Sequence, residues 1–164
     1  MRATALLELG AITADYVEAW SHLESSLALY RSAGDHWGTA QACYVLGESL
    51  ANMPGYDARA QTLLAESLQL SQSLGDRRST IGVLKNMGFF AILRGQHEKG
   101  EALLRESLAS ARALSDDVET LRCMHVLGHG IMLCGKYSEA CSLAEEELQC
   151  SLKLGHRPML AQAF

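Results

Sequence analysis

Proline is almost missing from this chain: two of 164 residues, Pro54 and Pro158. Proline is the main breaker of helix interiors, so long helices are open to the sequence. A hydrophobic fraction of 48% agrees with a folded, mostly helical protein rather than a disordered one, and strands find little support. An excess of basic residues is also missing. Fourteen Lys and Arg stand against 19 Asp and Glu, a formal charge of −5, which argues against the clustered cationic surface that nucleic-acid phosphates require. No apolar run approaches the roughly 20 residues that span a bilayer, and no secretory n-region and h-region opens the chain. The five cysteines include no CxxC pair and are odd in number, which reads as reduced thiols in a cytoplasmic protein. There is no Gly-rich phosphate loop, dinucleotide fingerprint, or Ser/His/Asp or Cys/His arrangement. Neither an enzyme nor a bound cofactor is expected.

What is present is repetition. Leu9-Gly10, Leu46-Gly47, Met87-Gly88 and Leu127-Gly128 fall in register, their glycines 37, 41 and 40 residues apart. A second marker recurs as Gly34-Asp35, Gly75-Asp76, Ser115-Asp116 and Gly155-His156, at spacings of 41, 40 and 40. Self-similarity at such a period marks a solenoid whose units bury their apolar faces by stacking. The expectation is one all-α domain over residues 1–164, with repeats near 1–35, 38–76, 77–116 and 117–156 and a partial fifth over 157–164.

Each unit reads as two helices. In the first, the markers sit on one helical face: Leu6, Leu9, Gly10, Thr13, then Cys43, Leu46, Gly47, Leu50, then Leu84, Met87, Gly88, Ala91, then Met124, Leu127, Gly128, Ile131. A glycine inside a helix costs about 1 kcal/mol relative to alanine, so its return predicts close approach of the paired helix. The second helix opens on a small residue (Ala19, Ala60, Gly100, Ala140) and continues as a stripe, Leu103, Leu104, Ser107, Leu108 in the third unit. In the fourth unit Glu147 replaces the serine of that stripe, which predicts different packing there. Gly55, Gly95 and Gly135 read as caps of the first helices, with Ala14 in their place in the first unit. Because Met1 aligns with Gly38 and no cap precedes it, a piece of a longer protein is expected. The C-terminal stub leaves Met159, Leu160 and Phe164 uncovered, which predicts self-association through that end.

A Leu-Gly in the first helix, a small residue opening the second and a Leu-x-x-Ser-Leu stripe closing it resemble the tetratricopeptide repeat. The 40-residue spacing, in stretches such as QLSQSLGDRRSTIGVLKNMGFFAILRGQHEKGEALLRESL, is similar to the longer units of bacterial LuxR-type and MalT-like multidomain regulators. The usual aromatic residue of the first helices is largely missing. The resemblance implies a right-handed α-α superhelix whose first helices line a concave groove that holds a protein or peptide.

If the first helices line the groove, residues flanking the core glycines point into it. Those singled out as partner-binding are Tyr44, Glu48, Lys85, Phe89, Arg122, His125 and His129. Lys85 and Arg122 are expected to lie off the packed faces, so that reversing their charge spares stability, and Arg105, on the convex side, is expected to matter little. His125 and His129 share one helical face, but position 126 is Val126 where HExxH carries glutamate, and no third ligand has diagnostic spacing. Metal binding is therefore the weakest reading, and no metal site is expected. Glu145, Glu146 and Glu147 read as a mainly solvated face, and His36, Trp37 and Trp20 as hairpin corners. The leading function is a protein-interaction scaffold in the regulatory region of a larger bacterial signalling or transcription regulator. The alternative is an effector-sensing domain with a small molecule in the groove.

Overall fold

The computed structural model describes residues 1–13, 16–51 and 53–154. These form eight helices and no strand: α1 (Arg2–Ile12), α2 (Tyr16–Ser32), α3 (His36–Ala51), α4 (Asp57–Ser73), α5 (Arg77–Leu93), α6 (His97–Ala113), α7 (Asp117–Leu133) and α8 (Tyr137–Leu154). The odd-numbered helices are the expected first helices and the even-numbered ones their partners. Ala14 and the stub with Met159, Leu160 and Phe164, together with the self-association expected from it, lie outside the described residues.

The second sequence marker is a boundary between helices. Its first residue takes the left-handed conformation, with φ +67° at Gly34 and Gly75 and +52° at Ser115. The aspartate that follows caps the next helix: Asp35 accepts from the Gly38 N–H at 2.8 Å, Asp76 from Ser79 at 3.0 Å and Asp116 from Glu119 at 3.1 Å. A side-chain oxygen there satisfies one of the orphan donors of a helix start. Gly55, Gly95 and Gly135 also have positive φ and close the first helices. Turn chemistry and helix register thus repeat together.

Backbone contacts divide the chain into two compact units, Met1–Val83 and Leu84–Phe164, the boundary falling within α5. In the first unit one apolar cluster joins Leu23, Leu27 and Tyr30 of α2 with Cys43, Leu46 and Leu50 of α3 and Leu63 of α4. Leu9, by contrast, is exposed, whereas its counterpart Leu46 is fully buried. Trp20 fills a corner, its ring 5.1 Å from that of Tyr56 and its N–H donated to Ser49 Oγ at 2.9 Å. Trp37 departs from its expected place: it is 56% exposed and only its N–H is held, by Asp76. In the second unit Leu84, Ile92, Leu104, Leu108, Leu121, Met124, Leu127 and Ile131 are buried. All five cysteines are unpaired, and burial pushes the Cys43 thiol up to about 12.

The recurring glycine has the packing role its register implied, except in the last hairpin. A Cβ on Gly10 would lie 2.6 Å from Leu23 Cγ, on Gly47 2.9 Å from Leu64 Cγ, and on Gly88 2.8 Å from the Gly100 carbonyl and 2.9 Å from Leu104 Cγ. At Gly128 the nearest atom, Leu143 Cδ2, is 3.8 Å away, an ordinary contact. The cause lies on the partner helix. Leu23, Leu64 and Leu104 occupy one register of the stripe, and in α8 that register holds Ala144. The side chain that closes the other three hairpins is absent from the fourth.

Alanine favours a helix over glycine by about 1 kcal/mol, while forced overpacking costs about 1 to 3 kcal/mol. Gly88→Ala is therefore expected to lower the melting temperature and Gly128→Ala to raise it. Equal shifts in calorimetry would refute the difference between the hairpins.

Candidate functional site

The seven residues expected to meet a partner divide between the units. Tyr44 and Glu48 are half-buried on α3 of the first unit. Lys85, Phe89, Arg122, His125 and His129 lie on α5 and α7 of the second, where Phe89 and His125 are half-buried and Arg122 and His129 exposed.

Lys85 is not the solvated side chain that its position suggested. Its Nζ lies 2.5 Å from Glu119 Oε1, and the two side chains are only 12% and 11% exposed. Glu119 also faces Arg122 Nη1, at 3.4 Å from Oε2. Sequence reasoning missed Glu119. It stands where the preceding repeats carry Ser79 and Gly38, so departure from the repeat was the available signal. Lys85 joins α5 to the first turn of α7 and is part of the packing, contrary to expectation. Arg122, whose side chain is 62% exposed, keeps its outer surface available.

The even-numbered helices are stapled in a repeating way. Arg31 of α2 pairs with Glu66 of α4 at 2.6 Å, and Arg59 of α4 with Glu24 of α2. In the second unit Arg105 of α6 pairs with both Glu101 and Glu139, Arg112 with Glu146 at 2.6 Å, and Lys136 with Glu101 at 2.7 Å. Lys136 and Arg105 hold the Glu101 carboxyl below its ordinary value against the effect of burial. Arg105, expected to matter little, is thus the centre of a small network. Surface pairs of this kind contribute about 0 to 1 kcal/mol each.

Glu147 leaves the solvated face that its neighbours suggested. It turns inward, 13% exposed, with Oε1 3.4 Å from His125 Nδ1, and the His125 and His129 rings lie 4.6 Å apart. The buried stripe serines show what stands at this register elsewhere: Ser26 donates to the Ala3 carbonyl and Ser67 to Ala40, each at 2.8 Å. Burial pushes the Glu147 carboxyl above its ordinary value, and the His125 and His129 imidazoles pull it partly back. Among the described residues, no three His, Cys, Asp or Glu side chains are grouped to hold a metal ion, and no helix is long and apolar enough to cross a membrane.

Stacked helical hairpins, tied through close-packed small residues and carrying no strand among the described residues, define a class: the all-α helical-repeat fold of the α-α superhelix type. Comparison with solved structures bears this out. The chain is similar to the Rap protein complexed with competence and sporulation factor, with a TM-score of 0.82 at 14% identity, covering 98% of this chain and 44% of that one. It is also similar to BtubC from P. vanneervenii, with a TM-score of 0.73 at 16% identity, covering 85% of this chain and 57% of that one. The chain thus spans about half the length of each. No protein-family model and no curated protein sequence matches it.

Removing one partner of a buried ion pair costs about 3 kcal/mol or more, whereas replacing both with apolar residues is often neutral; without Lys85, Glu119 keeps only the longer contact to the exposed Arg122. Lys85→Met is expected to lower stability by about 3 kcal/mol, and Lys85→Met with Glu119→Leu to recover most of it. Chemical denaturation of both variants measures this, and a double variant no better than the single one would refute the pair.

A carboxyl whose folded pKa is raised is better tolerated protonated. Its contribution to stability is full below the ordinary value of 4.5 and is lost as pH rises through the folded value. Glu147→Gln is accordingly expected to raise the melting temperature at pH 8 and to have little effect at pH 4. The same gain at both pH values would show that burial of the charge is not the cause.

Proposed function

We propose that this chain is a protein- or peptide-binding module built from tetratricopeptide-like repeats, acting in the cytoplasm as the regulatory region of a larger bacterial signalling or transcription regulator, with no catalysis of its own. The observation that carries this reading is the fold likeness to the Rap protein complexed with competence and sporulation factor, over 98% of the chain. The second unit supplies suitable chemistry. Phe89 is half-buried, and Arg122 and His129 are exposed; aromatic and Arg side chains are the usual anchors of interfaces. Arg122 is oriented by Glu119 while most of its side chain faces outward, so it can meet a partner carboxylate without first being ordered. Tyr44 and Glu48 contribute the corresponding surface of the first unit, and Lys85 acts by holding Glu119 and hence Arg122.

A random peptide library selected on the immobilised chain tests the reading. Peptides should be enriched, and a selected peptide should bind Arg122→Glu at least tenfold more weakly, a change of about 1.4 kcal/mol. It should bind Lys99→Glu, a charge reversal on an exposed residue of α6, as well as it binds the unaltered chain. No enrichment, or equal losses in both variants, would sink the proposal.

A further inference from the structure

The fourth hairpin contains a hollow at the register where the other hairpins are closed by a leucine. It lies between α7 and α8, has a volume of about 280 Å³, and is walled by Gly128, Met132, Tyr137 and Ala144. Ala144 stands where Leu23, Leu64 and Leu104 fill the other hairpins, and a Cβ on Gly128 would meet nothing nearer than Leu143 Cδ2, at 3.8 Å. His125, His129 and Glu147 line the same hollow. A Leu-to-Ala departure thus opens the space, and a Ser-to-Glu departure one turn later puts a carboxylate in it.

We propose that this hollow is a binding site for a small organic cation, an apolar stem ending in an ammonium or guanidinium group. Glu147 is the only lining residue with a full charge when the histidines are neutral. It is largely removed from water, with one oxygen facing His125. A buried carboxylate is costly unless paired, and a cation brought into the hollow offsets that cost, whereas an anion would face it. Neutral imidazoles accept hydrogen bonds through their unprotonated nitrogen, so His125 and His129 can share the donors of an ammonium. The walls are mostly apolar and match a short alkyl stem, and the lining includes Tyr137, a residue type whose ring attracts cations. A volume of 280 Å³ falls just under the range of about 300 to 1,000 Å³ for drug-sized ligands, as suits one alkylamine or one basic side chain. No three-donor group for a metal ion competes for the place among the described residues.

The site does not depend on the partner-binding reading. Its test uses the whole chain at pH 7.5, n-pentylamine hydrochloride, its neutral isostere 1-pentanol and N-acetyl-lysine methylamide. The readouts are the His125 and His129 imidazole resonances and the melting temperature. The amine should shift both resonances saturably, and the alcohol should bind at least about tenfold more weakly, as expected for a charge-assisted hydrogen bond. Glu147→Gln should abolish that preference. Ala144→Leu, which restores the side chain of the other hairpins, should abolish binding while the chain melts at the same or a higher temperature. Blocked lysine binding as well as the amine would point to a basic side chain as the ligand, and its exclusion to a free amine. Equal binding of amine and alcohol, a preference that survives Glu147→Gln, or full binding by Ala144→Leu would overturn the proposal. Capture of a selected peptide, measured on the same variants, fails or succeeds independently.

Discussion

The close approach of paired helices at a glycine is the constraint on which the rest of this fold depends. In the first three hairpins a Cβ at the glycine would fall within about 3 Å of a leucine on the partner helix and close to a partner carbonyl, closest at Gly88, where the Gly100 oxygen would be 2.8 Å away. Side chains cannot mediate so short a contact, so position and register are set by backbone shape. Once they are, the neighbouring leucines and buried serines have only one place to go. Ser26 and Ser67 then reach backbone carbonyls 23 and 27 residues away along the chain. A buried hydroxyl without such a partner would cost free energy; the repeat therefore carries its polar satisfaction along with its packing.

Much of this was legible in the sequence because both markers have local causes. Glycine at 10, 47 and 88 reports helix proximity, and the Gly-Asp pairs report a left-handed turn followed by a cap. What stayed hidden depends on residues far apart in sequence. Lys85 and Glu119 are 34 positions apart and occupy different registers of the repeat, so no periodic reading pairs them. Arg105 looked like an ordinary convex residue for the same reason, since its partner Glu139 is supplied by the next unit. Of the candidate site, the placement of Arg122, His125 and His129 on one first helix could be read from spacing. Their differing exposure could not, because it depends on which neighbours happen to be long enough to cover them.

Glu147 carries the same lesson in reverse. Its departure from the serine register was visible, and it correctly marked different packing. Reading it with Glu145 and Glu146 as one solvated face was the error, since of the three only Glu147 holds the stripe register that turns inward. The deciding residue is Ala144, whose short side chain removes the leucine that fills the other hairpins. Without that gap the carboxylate would meet a closed apolar wall.

Two departures one turn apart thus act as a pair. A cavity alone would cost packing energy in proportion to its volume, and a buried carboxylate alone would cost desolvation. Together each limits the cost of the other: the gap leaves the carboxylate a path to solvent and to His125, and the polar group gives the gap lining atoms that can be hydrated. The hairpin remains formed, at the expense of the tight contact kept by the other three. A repeat array can hold such a loosened unit because its stability is close to a sum over units and their interfaces. The weakening stays local, and the hollow lies in the hairpin that departs from the packing rule.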